Sequence, residues 1–178
     1  MTLLTLRPEH RAARLVHPSS DQRHQAPVAP ALLNEIAAGL APWASSIHHT
    51  VPGDPTARRY VRLLATPAYE AWLIVWPTGT GLELHDHGDS SGVLRVVAGE
   101  LIEAFTDRTE PVPLRVQRLA PGDTVTLSPT RIHDVWNPSE ATAVTVHLYS
   151  PPLATMTFYA TRGVRDLEAV RTECATTP

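Results

Sequence analysis

The sequence predicts an all-β domain, a barrel or sandwich of short strands, preceded by an N-terminal helical segment. From Arg59 onward, short runs of β-branched and aliphatic residues are separated by Gly, Pro, Asp and Asn. Strands do not alternate with helical patterns, which disfavours a parallel α/β sheet. The 178 residues, 43% of them hydrophobic, suit one domain with a sizeable core. We therefore expect a loosely ordered arm at 1–28 and a single domain at 29–178.

The arm lacks sustained periodicity and the apolar core of a secretory signal. Its arginines and few acids faintly resemble a transit peptide, although short basic arms are commonplace. A helix is predicted from Pro30 to Ala41, because Pro30 suits a first helical turn and Pro42 is expected to end the helix. Three apolar residues spaced four apart share one face of it: Leu32, Ile36 and Leu40.

Seven runs of β type follow the helix. In chain order they are YVRLLAT, YEAWLIVW, GLELHDH, VLRVVAGELIEAF, LRVQRLA, DTVTLSP and ATAVTVHLYSPP. The C-terminal segment from Phe158 is expected to add a strand and to end in a short helix or tail.

Composition excludes several classes of function. A net charge of −3 without a basic stripe argues against a dedicated nucleic-acid binder. No run approaches the roughly 18 apolar residues of a membrane span. Cys174 is the single cysteine, so an intrachain disulfide and a cysteine-rich zinc site are excluded. We expect a cytoplasmic protein without nucleic-acid or membrane partners; its oligomeric state stays open, with a monomer as one possibility.

Two of the nine histidines, His85 and His87, lie two apart in a predicted strand. Alternation places both imidazoles on one face, about 7 Å apart, with Asp86 on the other. Two such imidazoles can converge on one metal ion, although a bare His-x-His is as often a solvated or core pair. Context favours the metal, because the pair stands in a longer pattern, G-x5-H-x-H-x4-G-x6-G, from Gly79 to Gly99.

That pattern resembles the first motif of the cupin family, with Gly92 in place of the usual glutamate ligand. A second block, PGDTVTLSPTRIHDVWNPS, resembles the second cupin motif and contains His133 and Asn137. Arg131 stands there where glycine is common. The resemblance implies a cupin β-barrel or jelly roll in which His133 supplies a third imidazole.

Three segments, HDHGDSSGVLRVVAGELIEAF, IHDVWNPS and AVTVHLYSPP, together resemble the cysteine dioxygenase family, the thiol dioxygenase branch of cupins. The resemblance implies a non-haem ferrous iron, Fe(2+), held by His85, His87 and His133. It also implies that both atoms of O2 are added to a thiol sulfur to give a sulfinate. Imidazole suits Zn, Cu, Fe and Ni alike, so the ligand set alone leaves the metal open. Three neutral ligands leave a divalent ion at its full charge and favour a thiolate donor.

Alternation also places Thr145, His147 and Tyr149 on one strand face. They match the Ser-x-His-x-Tyr relay of the family, which implies that Tyr149 faces the iron and orients oxygen or substrate as a donor. A buried tyrosine bonded to any carbonyl is the alternative. The resemblance also implies a cis Ser150–Pro151 bond, which sequence alone does not establish.

Tyr60 and Arg62 match the family's Tyr-x-Arg strand, which implies that Arg62 pairs with a substrate carboxylate. Without the resemblance, Arg62 would be interpreted as a solvated edge charge, as Arg58 and Arg59 are here. Relatives acting on 3-mercaptopropionate often carry glutamine at this position, so the arginine favours cysteine. Many animal members join a cysteine to the active-site tyrosine; Gly92 stands there, so Tyr149 is expected to be unmodified.

Other polar and aromatic residues are predicted to be structural. The remaining histidines are interpreted as solvated, and the tryptophans as core or pocket wall; they are His10, His17, His24, His48, His49, Trp72, Trp76 and Trp136. Glu83 and Asp89 are not expected to be ligands. The predicted function is an iron-dependent dioxygenase that uses O2 and L-cysteine. Another thiol such as 3-mercaptopropionate, or a metal-binding cupin that is not an oxygenase, is the alternative.

Overall fold

The computed structural model describes residues 26–107, 114–162 and 166–174. In these ranges one helix, α1 (Pro30–Ile47), and a short 3-10 turn (His48–Thr50) precede the strands. The strands are β1 (Arg59–Ala65), β2 (Glu70–Trp76), β3 (Gly81–His85), β4 (Ser91–Ala98), β5 (Leu101–Asp107), β6 (Arg115–Leu119), β7 (Thr124–Leu127), β8 (Arg131–Trp136), β9 (Ala143–Ser150), β10 (Thr155–Arg162) and β11 (Asp166–Cys174). The mainly-β class with an N-terminal helix is confirmed.

The strands form two antiparallel sheets, ordered β1-β2-β9-β4-β7 and β11-β10-β3-β8-β5-β6. Their facing sides enclose one apolar core, to which β2 contributes Trp72, Ile74 and Trp76. The opposite sheet contributes Val135 and Phe158 to the same core. Because side chains alternate along each strand, every second residue of β2 and β9 faces this interior.

Helix α1 covers the outer face of the five-stranded sheet. Leu33, Ala37 and Ala44 of the helix are fully buried there against a second apolar cluster that includes Leu73 and Val146. Strands β2 and β9 are therefore buried on both faces, and every residue of both strands is buried. This double burial explains why their sequences are almost continuously apolar.

The predicted end of the helix at Ala41 is wrong, because α1 continues through Pro42 to Ile47. A proline inside a helix removes one backbone hydrogen bond. The residues after it still contribute to the buried face, since Ala44 is completely buried against the sheet. The face is also shifted by one residue from the predicted one, as Leu32 is 50% exposed. Small alanines occupy the centre of the contact.

The strands differ from the prediction in three further places. The run VLRVVAGELIEAF is divided into β4 and β5 at Gly99, whose φ of 67° is a conformation that glycine adopts without strain. The second histidine block forms an additional strand, β8. The C-terminal segment forms a β10–β11 hairpin, with β11 in place of the expected helix or tail.

Some predictions fall outside the described residues. The predictions for His10, His17 and His24 of the arm concern such residues, and residues 175–178 are also outside the described ranges. Within the described part of the chain, no helix has the length and hydropathy needed to cross a membrane.

Candidate metal centre and active site

Three imidazoles meet inside the two-sheet core. His85 is the last residue of β3 and is paired directly with His133 of β8 across the sheet. His87 follows two residues later. The candidate ligand atoms of the three side chains all lie within 4.8 Å of one another, and all three residues are buried. The two separated histidine motifs are thus brought to one point by the pairing of β3 with β8.

His87 lies beyond the end of β3, so strand alternation alone does not place it. The intervening Asp86 is completely buried and binds the neighbouring strand β10. Its carboxylate accepts a hydrogen bond from the Thr157 amide (3.2 Å) and one from the Tyr159 hydroxyl (2.7 Å), and it also accepts one from the Gly88 amide (3.0 Å). Asp86 therefore fixes the turn that directs His87 towards the other two imidazoles.

Hydrogen bonds to Nδ1 leave Nε2 free on two of the imidazoles. His85 Nδ1 donates to the Glu83 carbonyl (2.7 Å), and His133 Nδ1 lies 2.7 Å from Glu103 Oε1. Since a carbonyl or an ionised carboxylate accepts only, the proton is on Nδ1 and the Nε2 lone pair is available for a metal. His133 Nε2 and both ring nitrogens of His87 are buried without a hydrogen-bond partner among the described residues.

Buried polar atoms without partners are costly, so these orphaned nitrogens fit a metal ion. Burial lowers the pKa of His85 and of His87 well below the usual histidine value, with the neighbouring imidazoles adding to the effect. Both rings are therefore neutral at physiological pH, as metal coordination requires. The cluster found in the described residues contains three histidines and no carboxylate, so its candidate ligand atoms are all imidazole nitrogens.

Glu103, on β5, is a site residue that the sequence analysis missed. It is completely buried and accepts hydrogen bonds from Arg131 Nε (3.0 Å) and Nη2 (2.9 Å), besides its contact with His133. Gln117 Nε2 donates to it as well, at 2.5 Å. Burial opposes ionisation of Glu103, but the hydrogen bonds and charges of His133 and Arg131 outweigh it and lower its pKa to about 2. An ionised carboxylate thus holds the His133 ring in place.

The available signal for Glu103 was a lone acid in the apolar run LIEAF. Its partner Arg131 was noted only as a departure from the common glycine of the second motif. The two positions become neighbours through the pairing of β5 with β8, in which Glu103 is opposite Val135 and Phe105 is opposite His133.

The three residues predicted to form a relay are all buried on β9, but only two of them are joined. His147 Nδ1 lies 3.0 Å from the Tyr149 hydroxyl, and the Tyr149 ring is 5.0 Å from the ring of His87 between centroids. Thr145 Oγ1 instead accepts a hydrogen bond from Trp76 Nε1 at 2.9 Å, and His147 Nε2 has no partner among the described residues. The predicted Thr145–His147 hydrogen bond is therefore not found among the described residues, and Thr145 is bonded to Trp76 instead.

Burial raises the pKa of Tyr149, so this residue stays a phenol at physiological pH. Burial also lowers the pKa of His147 to about 3, with nearby positive charge adding to the effect, so its imidazole stays neutral. The pair therefore presents an uncharged donor and acceptor beside the three histidines. Tyr149 belongs to β9 and its ring lies next to that of His87, so β9 borders the imidazole cluster.

Gly92 of β4 is directly opposite Tyr149. A Cβ atom at this position would lie 2.4 Å from the Leu148 carbonyl oxygen and 3.0 Å from Tyr149 Cδ1. The ring of Tyr149 thus packs against a backbone that has no side chain to which it could be linked. Cys174 is exposed on β11.

A protein-family model described as cysteine dioxygenase type I matches residues 53–162, which is more than half of the chain. This chain belongs to the cysteine dioxygenase type I family. The matched range contains all three histidines of the cluster and all three predicted relay residues.

Solved structures with similar folds agree at the level of architecture. A conserved protein with a double-stranded β-helix domain from Klebsiella pneumoniae has a TM-score of 0.52 at 16% identity, covering 65% of this chain and 95% of its own. A protein from Thermus thermophilus has a TM-score of 0.50 at 18% identity, covering 60% and 94%. An oxalate oxidase in complex with the substrate analogue glycolate has a TM-score of 0.50 at 17% identity, covering 61% and 60%. These likenesses show the fold, the cupin barrel, alone.

In this member of the cysteine dioxygenase family, the two residues predicted to bind substrate lie on β1. Tyr60 is partly buried and packs edge-on against Trp72, with 6.1 Å between ring centroids. The Arg62 side chain is 52% exposed and lies 3.6 Å from the buried carboxylate of Glu70. Its guanidinium is also stacked on Trp72, 5.4 Å from the ring centroid. Glu70 was not singled out in the sequence.

The interpretation of Arg58 as a solvated edge charge is wrong. Its guanidinium carbon lies 5.3 Å from the ring of Trp76 and 5.5 Å from that of Tyr60. Arg59 also binds the protein, as its Nη1 donates to the Val51 carbonyl at 2.8 Å. Both residues are only partly exposed.

The remaining expectations concern residues around the cluster. Trp72 and Trp76 are buried, and Trp136 is half-buried. Glu83 is exposed and forms an ion pair with Arg171 through its side chain, while its backbone carbonyl holds His85. Asp89 and His49 are exposed, and His48 is half-exposed. The Ser150–Pro151 peptide bond is cis.

Proposed function

We propose that this protein is an iron-dependent dioxygenase that oxidises the thiol of L-cysteine with O2 to cysteine sulfinate. The observation that carries the proposal is the buried cluster of His85, His87 and His133, three imidazoles without a carboxylate ligand, beside the phenol of Tyr149. Membership of the cysteine dioxygenase type I family supports the same chemistry. The partners are a small thiol and O2.

The residues that would hold the iron are His85, His87 and His133, through the ring nitrogens that have no other partner. A bound Fe(2+) would supply open coordination positions for a thiolate and O2, and the one-electron chemistry that lets O2 react with a thiol. Glu103 keeps the His133 ring in the tautomer that offers Nε2. The core around the cluster keeps bulk water away from the reacting atoms, which strengthens every charged interaction there.

In the overall reaction, one thiol and one O2 give one sulfinate and one proton. The S–H bond breaks, two S–O bonds form, and the sulfur loses the four electrons that reduce O2, so atoms and electrons balance. The Tyr149 hydroxyl, held by His147, donates a hydrogen bond at the reacting end of the substrate. Because Tyr149 stays protonated and His147 stays neutral, this pair adds no charge to the site.

The substrate carboxylate is proposed to bind near Tyr60 and Arg62 on β1. A guanidinium forms charge-assisted, bidentate hydrogen bonds with a carboxylate. The half-exposed Arg62 is close enough to Glu70 to be partly neutralised by it, so its free positive charge is reduced. Thr145, on β9, contributes only indirectly, through its hydrogen bond with Trp76.

Elemental analysis of anaerobically purified protein, followed by sulfinate detection, tests the proposal. Iron is expected at about one equivalent per chain, and oxygen uptake with cysteine is expected to yield sulfinate that carries both atoms of ¹⁸O2. His133→Ala is expected to lose iron and activity together, whereas the exposed His49→Ala serves as the matched control. Iron-loaded protein that gives only disulfide, or no oxygen uptake, would contradict the proposal.

The same assay decides between substrates. Faster turnover of 3-mercaptopropionate than of cysteine would assign the other thiol carboxylate. Zinc or nickel at full occupancy without oxygen uptake would assign a metal-binding cupin that is not an oxygenase. The cytoplasmic location stays a prediction, which cell fractionation tests.

A further inference from the structure

The ring of His87 is not held by a hydrogen bond of its own. His85 and His133 are each fixed through Nδ1, whereas neither ring nitrogen of His87 has a hydrogen-bond partner among the described residues. His87 also lies two residues beyond the end of β3. Metal-binding histidines are usually oriented by a partner at the second ring nitrogen. The orientation of His87 therefore depends on the backbone that carries it and on the side chains packed around it.

The turn that follows β3 is attached to β10, the first strand of the C-terminal hairpin formed by β10 and β11. The Asp86 amide donates to the Thr157 carbonyl (2.9 Å), and the Asp86 carboxylate accepts from the Thr157 amide (3.2 Å). The Tyr159 hydroxyl donates to the other carboxylate oxygen at 2.7 Å. A Cβ atom at Gly88 would lie only 2.6 Å from Thr155 Oγ1. The turn is thus packed directly against one strand.

The same hairpin contacts the groups that fix His85. Phe158 is paired directly with His85 where β10 joins β3, and the two rings are 5.9 Å apart between centroids. The guanidinium carbon of Arg171, on β11, lies 3.7 Å from the centroid of the Phe158 ring. Arg171 also forms an ion pair with Glu83 at 2.6 Å, and the Glu83 carbonyl accepts from His85 Nδ1. Both strands of the hairpin therefore support this ligand.

We propose that the C-terminal hairpin is a clamp that holds His85 and His87 in their metal-binding positions, with Phe158 and Tyr159 as its positioning residues. The third ligand, His133, is held from β5 by a carboxylate and lies outside the clamp. The inference rests on the proposed function in treating the three histidines as a metal centre. Because coupling between two equilibria is reciprocal, metal binding is expected in turn to stabilise the docked hairpin.

The variant Tyr159→Phe removes one hydroxyl and keeps the ring. Zinc is the probe, because it binds imidazole and does not react with O2. The Kd of zinc, measured by chelator competition, is expected to weaken about 10-fold, the lower end of the range for a residue that supports a metal ligand. Tyr69→Phe is the matched control, since Tyr69 packs against the apolar cluster on the outer face of the five-stranded sheet. This control is expected to change the Kd less than about twofold.

Variants that lack one ligand separate positioning from a general effect on the fold. If Tyr159 acts through His87, Tyr159→Phe is expected to change the zinc Kd less than about twofold in the His87→Ala background, while the loss of about 10-fold persists in His133→Ala. Phe158→Leu is expected to behave differently, because its effect should disappear in His85→Ala and persist in His87→Ala. A merely structural effect would weaken zinc binding in every background alike.

Hydrogen exchange adds a readout on the wild-type protein that needs no variant. Saturating zinc is expected to slow amide exchange in β10 and β11, and the slowing is expected to be smaller in Tyr159→Phe. Wild-type zinc affinity in Tyr159→Phe, equal losses in all backgrounds, or hairpin exchange that does not respond to zinc would each overturn the inference. Failure of the proposed function is recognised separately, since the wild-type protein then forms no sulfinate while zinc binding still tests the clamp.

Discussion

Replacing Glu103 by glutamine tests whether this buried carboxylate supports the metal ligand. Glu103 Oε1 accepts from His133 Nδ1 and Arg131 Nε, and Oε2 accepts from Arg131 Nη2 and Gln117. In Glu103→Gln, one of the two oxygens becomes an NH2 group that faces donors. Gln117 can turn its own amide to accept from that group, but an arginine nitrogen cannot. The variant therefore leaves the Arg131 charge largely unpaired.

The size of the effect follows from burial. The side chains of Arg131 and Glu103 are 11% and 0% exposed, so solvent screens the pair little. Removing one member of a buried pair costs about 3–5 kcal/mol, and the slight exposure of Arg131 favours the lower value. We expect about 3 kcal/mol lower free energy of unfolding for metal-free Glu103→Gln, measured by urea denaturation. Replacing the charged acceptor of His133 Nδ1 by a neutral amide is expected to weaken metal binding about 10- to 100-fold in a chelator competition.

Glu100→Gln is the matched control. Glu100 stands three residues earlier and forms an ion pair with Arg118, but both side chains are substantially exposed. Exposed ion pairs contribute less than about 1 kcal/mol, so this variant is expected to keep its stability and metal affinity. If Glu103→Gln bound metal as tightly as the wild type and lost no more stability than Glu100→Gln, the proposed role of Glu103 would be refuted.

Three further predictions concern Tyr149, Gly92 and the buried histidines. Tyr149→Phe is expected to lower kcat about 100-fold or more while metal content stays unchanged, because only the donor hydroxyl is lost; loss of metal would refute this reading. Gly92→Ala is expected to destabilise the fold by about 1–3 kcal/mol, since its Cβ would meet the Leu148 carbonyl at 2.4 Å. Gly39→Ala, which has open space in α1, is expected to stabilise by up to about 1 kcal/mol; equal effects in both variants would contradict the packing argument. Finally, metal-free protein is expected to lose stability as pH falls below about 6.5, by roughly 4 kcal/mol at pH 5.5, because three histidines take up protons on unfolding but not in the folded state. These are His85, His87 and His147. Urea denaturation at each pH measures the loss, and a flat profile between pH 7 and 5.5 would contradict it.

Local patterns were sufficient for the fold class and for the three histidines. Strand periodicity and turn residues predicted the β architecture from Arg59 onward, and the resemblance of two short motifs to those of cupins implied that His85, His87 and His133 would meet. Such signals lie within short stretches of chain. The helix boundary failed for a different reason: the cost of Pro42 depends on what the following turn buries, and that is a property of the sheet beneath it.

The supporting residues were out of reach because they depend on which strands pair, and in which register. Glu103 meets His133 only through the β5–β8 pairing, and a shift of one residue would turn its carboxylate to the opposite face. Likewise, the Thr145 hydroxyl was expected to join the relay, but the β2–β9 pairing brings Trp76 within reach of it. Arg58 could not be distinguished from a solvated edge charge, since its orientation depends on the rings of Tyr60 in β1 and Trp76 in β2.

The charges in the interior connect these observations to the choice of substrate. Glu103 and Arg131 neutralise each other, while His85, His87, His147 and Tyr149 are uncharged. A divalent ion on three neutral imidazoles and the unpaired Arg58 would therefore leave excess positive charge in a region that water screens weakly. A substrate that binds as a thiolate and also carries a carboxylate brings two negative charges to these two positions.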